Sequence, residues 1–217
     1  MFAELHAKSH YSFLDGVSSP KELVYQAKEL GYSALAITDE CSYAGLVKAY
    51  QASEECKLKL IVGSEFWVEA ESSKFKLVLL AKNRTAYSEI SALITKARRR
   101  SPKGKYSLSM PDLQFGLQNC LAIWLPSFSH VDHAHGAQLK RFFKHRLWLG
   151  IELFMQSQDQ EHYLFSEQLS RQYSIPMVAS NDVHMHHKNR KPLQDVISAI
   201  RLNTSCLLYT SPSPRDS

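Results

Sequence analysis

Apolar residues fall into short unbroken or alternating runs separated by longer stretches with helical spacing. Phe2–His6 alternates as a short strand does. Ser19-Pro20-Lys21-Glu22 then opens a helix: serine caps free amides, proline suits the first helical position, and Gly31 stops the segment. Its inner face is Leu23, Val24, Ala27 and Leu30. Ala34–Thr38 is an apolar run of the kind found in a strand buried on both faces. A helix over Ala44–Glu54, burying Leu46, Val47 and Tyr50, and a strand over Leu58–Val62 ending at Gly63 come next. Phe75–Leu80 predicts a strand, and Thr85–Arg99 a helix that turns Tyr87, Ile90, Leu93, Ile94 and Ala97 inward.

Beyond a basic, Pro/Gly-punctuated linker, strands are expected at Leu121–Leu125, Leu147–Leu153 and Met177–Ala179. Helices are expected near Ala137–His145, Gln158–Tyr173 and Pro192–Leu202, the last burying Leu193, Val196, Ile197 and Ile200. Strand-then-helix units in this succession imply a parallel sheet, open or closed into a barrel. In such barrels chemistry sits at the C-terminal strand ends. Cys206–Ser217 has neither period and looks foreign to the fold.

With 217 residues, 44% hydrophobic and 22% charged, the chain has the composition of a globular protein of one large domain or two small ones. That excludes disorder, a collagen-like repeat and a disulfide-dense mini-protein. No apolar run reaches the roughly 18 residues of a membrane span, and MFAELHAKSHYSF is no secretory signal, so a cytoplasmic protein with no membrane partner is expected. The net charge of +5 is compatible with a polyanionic partner without being diagnostic. Cys41, Cys56, Cys120 and Cys206 lack metal or redox spacing and read as free thiols.

Polar residues just past the expected strands are His6 and Asp15, then Asp39 and Glu40, then Glu65, and finally Asp182 and His184. Imidazoles and carboxylates converging from separate strand ends are what a divalent-metal site needs, and bound metals would activate water for phosphoester hydrolysis. Plainer roles exist: Asp15 as a turn residue, Asp39 or Glu40 as a helix cap. Asp182 and His184, two apart, share a face and carry the sharpest signal. His130, Asp132, His133 and His135 crowd a loop, as solvated groups or as a replacement site, while His186 and His187 read as surface groups. Lys96, Arg98, Arg99, Arg100, Lys103 and Lys105 put six positive charges in ten residues. They suit a helix end favoured by its dipole or a phosphate-contacting patch. Interleaved aromatics for single-strand stacking are missing, as are a P-loop, a dinucleotide fingerprint and a nucleophile elbow.

The segments LHAKSHYSFLDG, AITDECSYAG, LKLIVGSEF, LVLLAKNRTAYSEISALITKARR and VASNDVHMH with LQDVISAIRLNT together resemble the PHP (polymerase and histidinol phosphatase) domain. They are similar in particular to the N-terminal PHP domain of bacterial C-family DNA polymerase III alpha-type subunits, and TDECS and LQDVISAIRLNT favour the error-prone, translesion branch. The resemblance implies a distorted (β/α)7 barrel of PHP type over residues 1–205, with residues 206–217 a non-native, adapter-derived tail. It carries metal ligands onto His6, Asp15, Glu40, Glu65, Asp182 and His184. The position after Thr38-Asp39, usually histidine in the family, is Glu40, and two ligand positions have become lysine. The family's His-x-His is here His6-Ala7-Lys8, and the histidine expected before the LVLL strand is Lys76, while a further Cys or His falls near Ser127. An ammonium has no lone pair for a metal.

The implied site is therefore vestigial, holding no cofactor or weakly bound Zn or Mn, with Mg serving the parent polymerase. The implied function is a mainly structural opening domain of an error-prone DNA polymerase, a nucleotidyltransferase of damage tolerance and DNA repair. DNA and dNTPs would be handled by a polymerase region downstream, with the sliding clamp and translesion factors as partners. The alternatives are a metal-dependent PHP phosphoesterase and a 3′–5′ exonuclease, and Lys8 and Lys76 count against both.

Overall fold

A computed structural model of the chain describes residues 2–70, 73–128 and 132–205, so His130 and the expected foreign stretch at the end lie outside the described residues. Seven strands succeed one another in the sheet in chain order: β1 (Ala3–Ala7), β2 (Ala34–Ile37), β3 (Lys59–Ala70), β4 (Ser73–Ala81), β5 (Cys120–Leu125), β6 (Leu147–Ile151) and β7 (Met177–Ala179). The helices are α1 (Pro20–Glu29), α2 (Leu46–Cys56), α3 (Arg84–Arg99), α4 (Asp132–Phe143), α5 (Asp159–Tyr173) and α6 (Lys191–Leu202). Past β7 the chain returns to β1: Lys8 N–H donates to Val183 O at 2.8 Å and Val183 N–H to His6 O at 2.9 Å. The result is a nearly closed α/β barrel, as the sequence led us to expect.

Local chemistry explains the elements that fell where expected. At α1 the Ser19 hydroxyl accepts from Glu22 N–H at 3.2 Å while the Glu22 carboxylate accepts from Ser19 N–H at 2.8 Å, a reciprocal capping box. Gly31 ends the turn at φ +75°, a conformation costly for any residue with a Cβ. The Asn83 side chain accepts from Ala86 N–H at 2.9 Å to start α3.

Several expectations need correction. Leu30 at the C-terminal cap of α1 and Tyr87 of α3, both expected to face inward, are exposed. The sheet is not wholly parallel: β3 runs on through Glu65 to Ala70 instead of stopping at Gly63, and pairs antiparallel with β4, which pairs antiparallel with β5. Two residues separate β3 from β4, too few for the crossover that parallel neighbours require. The amphipathic faces of α2 and α6 are also turned. The residues α2 buries are Ala49, Ala52 and Ser53, with Val47 and Tyr50 outside, and those α6 buries are Ser198 and Ala199, with Leu193, Val196 and Ile200 outside. In α2, small side chains let the helix lie close along α1, with Val47 and Tyr50 turned away from that seam. Finally, Asp132, His133 and His135 of the histidine-rich stretch lie on a helix, because α4 already begins at Asp132.

On β4, Phe75, Leu77 and Leu79 join the outer core beneath α3, with Phe66, Ile90 and Trp124, while Val78 and Leu80 join Ala36, Ile123 and Leu125 in a separate cluster. Alternation along the strand puts Lys76 on the same face as Val78 and Leu80. This inner face is thus apolar toward one end and charged toward the other, where the strands deliver their candidate chemistry.

Candidate metal centre

Several segments converge on one buried cluster. β1 supplies His6, β3 Glu65 and β4 Lys76; the segment after β1 supplies Lys8 and Asp15, and Glu152 and Asp182 follow β6 and β7. Lys8 is the pivot: its Nζ lies 2.7 Å from Asp15 Oδ2, 2.9 Å from Asp182 Oδ1 and 3.5 Å from Glu65 Oε2, with its side chain 1% exposed. Lys76 Nζ donates to Asp182 Oδ2 at 3.1 Å and lies 3.5 Å from Glu65 Oε2. Arg201 of α6 pairs with Asp15.

The surrounding backbone is tightly set. Gly16 has no room for a Cβ, which would meet Ser9 O at 2.3 Å and Lys8 O at 2.8 Å. Asp39 fastens the same loop by accepting from Ser9 N–H at 2.7 Å, Ser9 Oγ–H at 2.7 Å and Ser12 Oγ–H at 2.8 Å. The buried Glu4 carboxylate accepts from His6 N–H at 2.9 Å and from the Asn181 amide at 2.6 Å, tying β1 to the segment that presents Asp182.

His6 is held between two carboxylates, Nε2 at 2.7 Å from Glu65 Oε2 and Nδ1 at 2.7 Å from Glu152 Oε1. An ionised carboxylate only accepts, so both ring nitrogens carry hydrogen and His6 is an imidazolium. Its pKa agrees. Burial opposes the charge, but the Asp182 charge and the hydrogen bonds to Glu152 and Glu65 outweigh it and lift the ring to about 10. Burial likewise pulls Glu65 upward, against the His6 hydrogen bond and the charges of Lys8, His6 and Lys76, which hold it down at about 2. Asp182 is driven far below the usual carboxylate range: burial is again overcome, here by the charge of His6, the His184 hydrogen bond and both lysines.

Among the described residues, His6, Glu65 and Asp182 form a group of possible metal donors, one atom from each within 4.8 Å of the others. By residue type this trio could seat an ion. Its charges do not fit a cluster of divalent ions. Asp15, Glu65, Glu152 and Asp182 are already matched by Lys8, Lys76, Arg201 and the His6 imidazolium, and the one nitrogen donor of the trio would have to give up a proton before it could bind an ion.

The other expected residues fall as follows. His184 flanks the cluster, Nε2 3.4 Å from Asp182 Oδ1 and Nδ1 3.6 Å from Asp15 Oδ1. The Glu40 carboxylate instead accepts from the Tyr106 hydroxyl at 2.8 Å and is not one of the gathered trio. Ser127 is exposed just beyond β5. His135 is buried on α4, its ring 4.7 Å from Phe75 and its Nε2 3.1 Å from Ser73 Oγ, and His133 lies 3.4 Å from the Tyr173 hydroxyl. His186 contacts Ser18 Oγ at 2.7 Å and His187 accepts from Asn189 N–H. Sequence reasoning missed Glu152 and Arg201. Glu152 was hidden by carrying the sixth strand to Leu153; ending it at Ile151 makes Glu152 the first polar residue past a strand.

The family model described as PHP domain matches residues 4–139. The error-prone DNA polymerase of Saccharophagus degradans is 46% identical over 204 residues, covering 94% of this chain and 20% of that protein. Its counterpart from Methylococcus capsulatus is 48% identical over 203 residues, covering 93% and 19%. The chain therefore spans about a fifth of the length of these curated relatives. Among solved structures, a proposed metal-dependent phosphoesterase from Bifidobacterium adolescentis superposes with TM-score 0.64 at 16% identity, over 85% of this chain and 88% of that one. An amidohydrolase from Chromobacterium violaceum gives 0.60 at 14%, with the same coverage. At such identities the likeness is one of fold.

Proposed function

The chain belongs to the PHP domain family, and from that premise we propose that it is the structural PHP portion of an error-prone DNA polymerase, with a metal site that has become an internal salt-bridge cluster. The supporting observation is the buried Lys8 ammonium, in contact with Asp15, Asp182 and Glu65 at once. His6, Asp15, Glu40, Glu65, Asp182 and His184 are the vestige of a ligand set. Lys8, Lys76 and the His6 imidazolium serve to hold β1, β3, β4 and the segment after β7 together. DNA and dNTPs would be bound, and Mg used, by polymerase regions of the parent protein in the cytoplasm, with the sliding clamp and translesion factors as further partners. No helix among the described residues is long and apolar enough to cross a membrane.

The PHP unit would comprise residues 1–205, with residues 206–217 no part of it; removing those last residues should leave the melting temperature unchanged. The central test is calorimetric titration of the chain with Zn²⁺ and Mn²⁺, alongside phosphatase and 3′–5′ exonuclease assays. Neither stoichiometric binding nor hydrolysis is expected. Micromolar binding of two or more ions, or metal-dependent hydrolysis abolished by Asp182→Ala, would restore the phosphoesterase or exonuclease reading that the His6, Glu65 and Asp182 grouping favours.

A further inference from the structure

Charge is unevenly distributed along this chain. Residues 84–112 hold seven Lys or Arg against two acids, Glu89 and Asp112, a net +5 that equals the net charge of the whole protein. The rest of the molecule is balanced. Within that segment one carboxylate serves two cations: Asp112 meets Lys96 Nζ at 2.8 Å and takes both Nη atoms of Arg100 at 2.8 and 2.9 Å. Arg98 is turned inward, donating to Glu40 O and Cys41 O with its guanidinium 5.1 Å from the Tyr106 ring. That anchor fixes the end of α3 beside the loop that follows β2. Arg99, Lys103 and Lys105 are exposed and make no ion pair among the described residues.

The helix dipole accounts for only part of this. It favours cations within the last turn of α3, but Lys103 and Lys105 lie beyond its end. A membrane-surface segment would add an exposed apolar face. Residues 96–105 have none, since Ala97 is buried and Pro102 is the only other apolar side chain. Residues 96–105 carry no aromatic platform for stacked single-strand bases; beside them Tyr106 is engaged by Glu40 and the Trp67 backbone, the Trp67 ring faces Lys76 Nζ, and Tyr87 is stacked on Tyr43. Cations flanked by the hydroxyl groups of Ser91 and Thr95 in an open groove along α3 are the mixture that meets a sugar-phosphate backbone.

We propose that the surface of residues 96–105 is a sequence-independent contact for the phosphate backbone of duplex DNA. The proposal rests on the DNA-polymerase reading above for its choice of polyanion. Its test is fluorescence anisotropy of a labelled DNA duplex of mixed sequence with the purified chain, titrated across NaCl concentration. Arg99→Ala/Lys103→Ala/Lys105→Ala removes cations without an acidic partner, and circular dichroism confirms that the fold is kept. A charge-matched control, Lys28→Ala/Lys59→Ala/Lys82→Ala, removes exposed cations elsewhere.

The first variant should lower the magnitude of the slope of log K against log salt by about 2.7, as three lost phosphate contacts require, so that its loss of affinity is greatest at low salt. The control should keep the original slope. Equal losses in the two variants, no binding by the parent chain at low salt, or capture by phosphatidylserine vesicles in preference to DNA would each overturn the proposal. The metal titration is a separate readout: hydrolysis there leaves the slope measured here unchanged, and failure here leaves the salt-bridge cluster standing.

Discussion

Replacing Lys8 by methionine keeps the length of the side chain and removes its charge. The ammonium is 1% exposed and within 3.5 Å of three carboxylates, so solvent cannot take its place. Breaking a buried ion pair from one side costs about 3–5 kcal/mol, because the partner charge is left stranded. For a chain of this size each kcal/mol moves the melting temperature by about 2–4 °C, so Lys8→Met should lower it by about 6–20 °C in differential scanning calorimetry. Neutralising one stranded acid as well, in Lys8→Met/Asp182→Asn, should return part of the loss, a non-additivity that reports direct coupling. A loss below about 1 kcal/mol, the level of an exposed pair, would refute the reasoning. So would a Zn²⁺-induced rise in the melting temperature of the unaltered chain.

Stability should also depend on pH in a definite way. His6, lifted from 6.5 to about 10, contributes fully below 6.5 and loses its contribution as pH rises through 10, whereas Glu65, held at about 2 against 4.5, contributes above 4.5 and loses it as pH falls through 2. Urea midpoints should therefore peak between about pH 4.5 and 6.5, and a midpoint flat from 6.5 to 10 would contradict a protonated His6. Gly16→Ala forces a Cβ onto the backbone of Ser9 and Lys8, and should destabilise by more than about 1 kcal/mol, read by thermal melting. Lys8→His with Lys76→His should raise Zn²⁺ affinity in calorimetry; unchanged affinity would show that the remaining ligands cannot converge on an ion. Primer extension by the purified 217-residue chain should be absent, and extension that needs all four nucleotides would refute that.

What could be read from the chain beforehand was what local chemistry dictates. Ser19, Pro20, Glu22 and Gly31 specify α1 without help from the rest of the molecule. Lys8 and Lys76 stand where the resembled family has histidines, and the structure sets both ammonium groups against Asp182 and Glu65 of one cluster. What eluded the sequence depended on partners distant along the chain. A period of apolar residues does not say which face is covered, so α2 and α6 were assigned their bulky faces although the residues they bury include Ala49, Ala52, Ser198 and Ala199. β3 continues past Gly63 because β4 folds back on it at once, and only the pairing Glu65 with Val78 reveals that Glu65 lies within a strand. Arg201 reaches Asp15 from far along the chain, a contact that no spacing rule anticipates.

On the proposed reading, the geometry also accounts for how a metal could be dispensed with at no loss to the fold. Four carboxylates remain where an ion would be wanted, and apolar replacements for the ligands would have left those charges buried and unpaired. Cations tethered to β1 and β4 neutralise them without depending on a free ion, at the conformational cost of fixing two long side chains. Carboxylates on both sides of His6 then complete the balance by holding a proton on each ring nitrogen. An entering divalent ion would have to strip His6 of a proton and displace Lys8 and Lys76 from Asp182 and Glu65 together. Every one of those steps removes charge compensation before the ion supplies its own. Substituting either lysine alone leaves the other ammonium and the imidazolium in place, and for that reason recovery of metal binding needs both lysines changed at once.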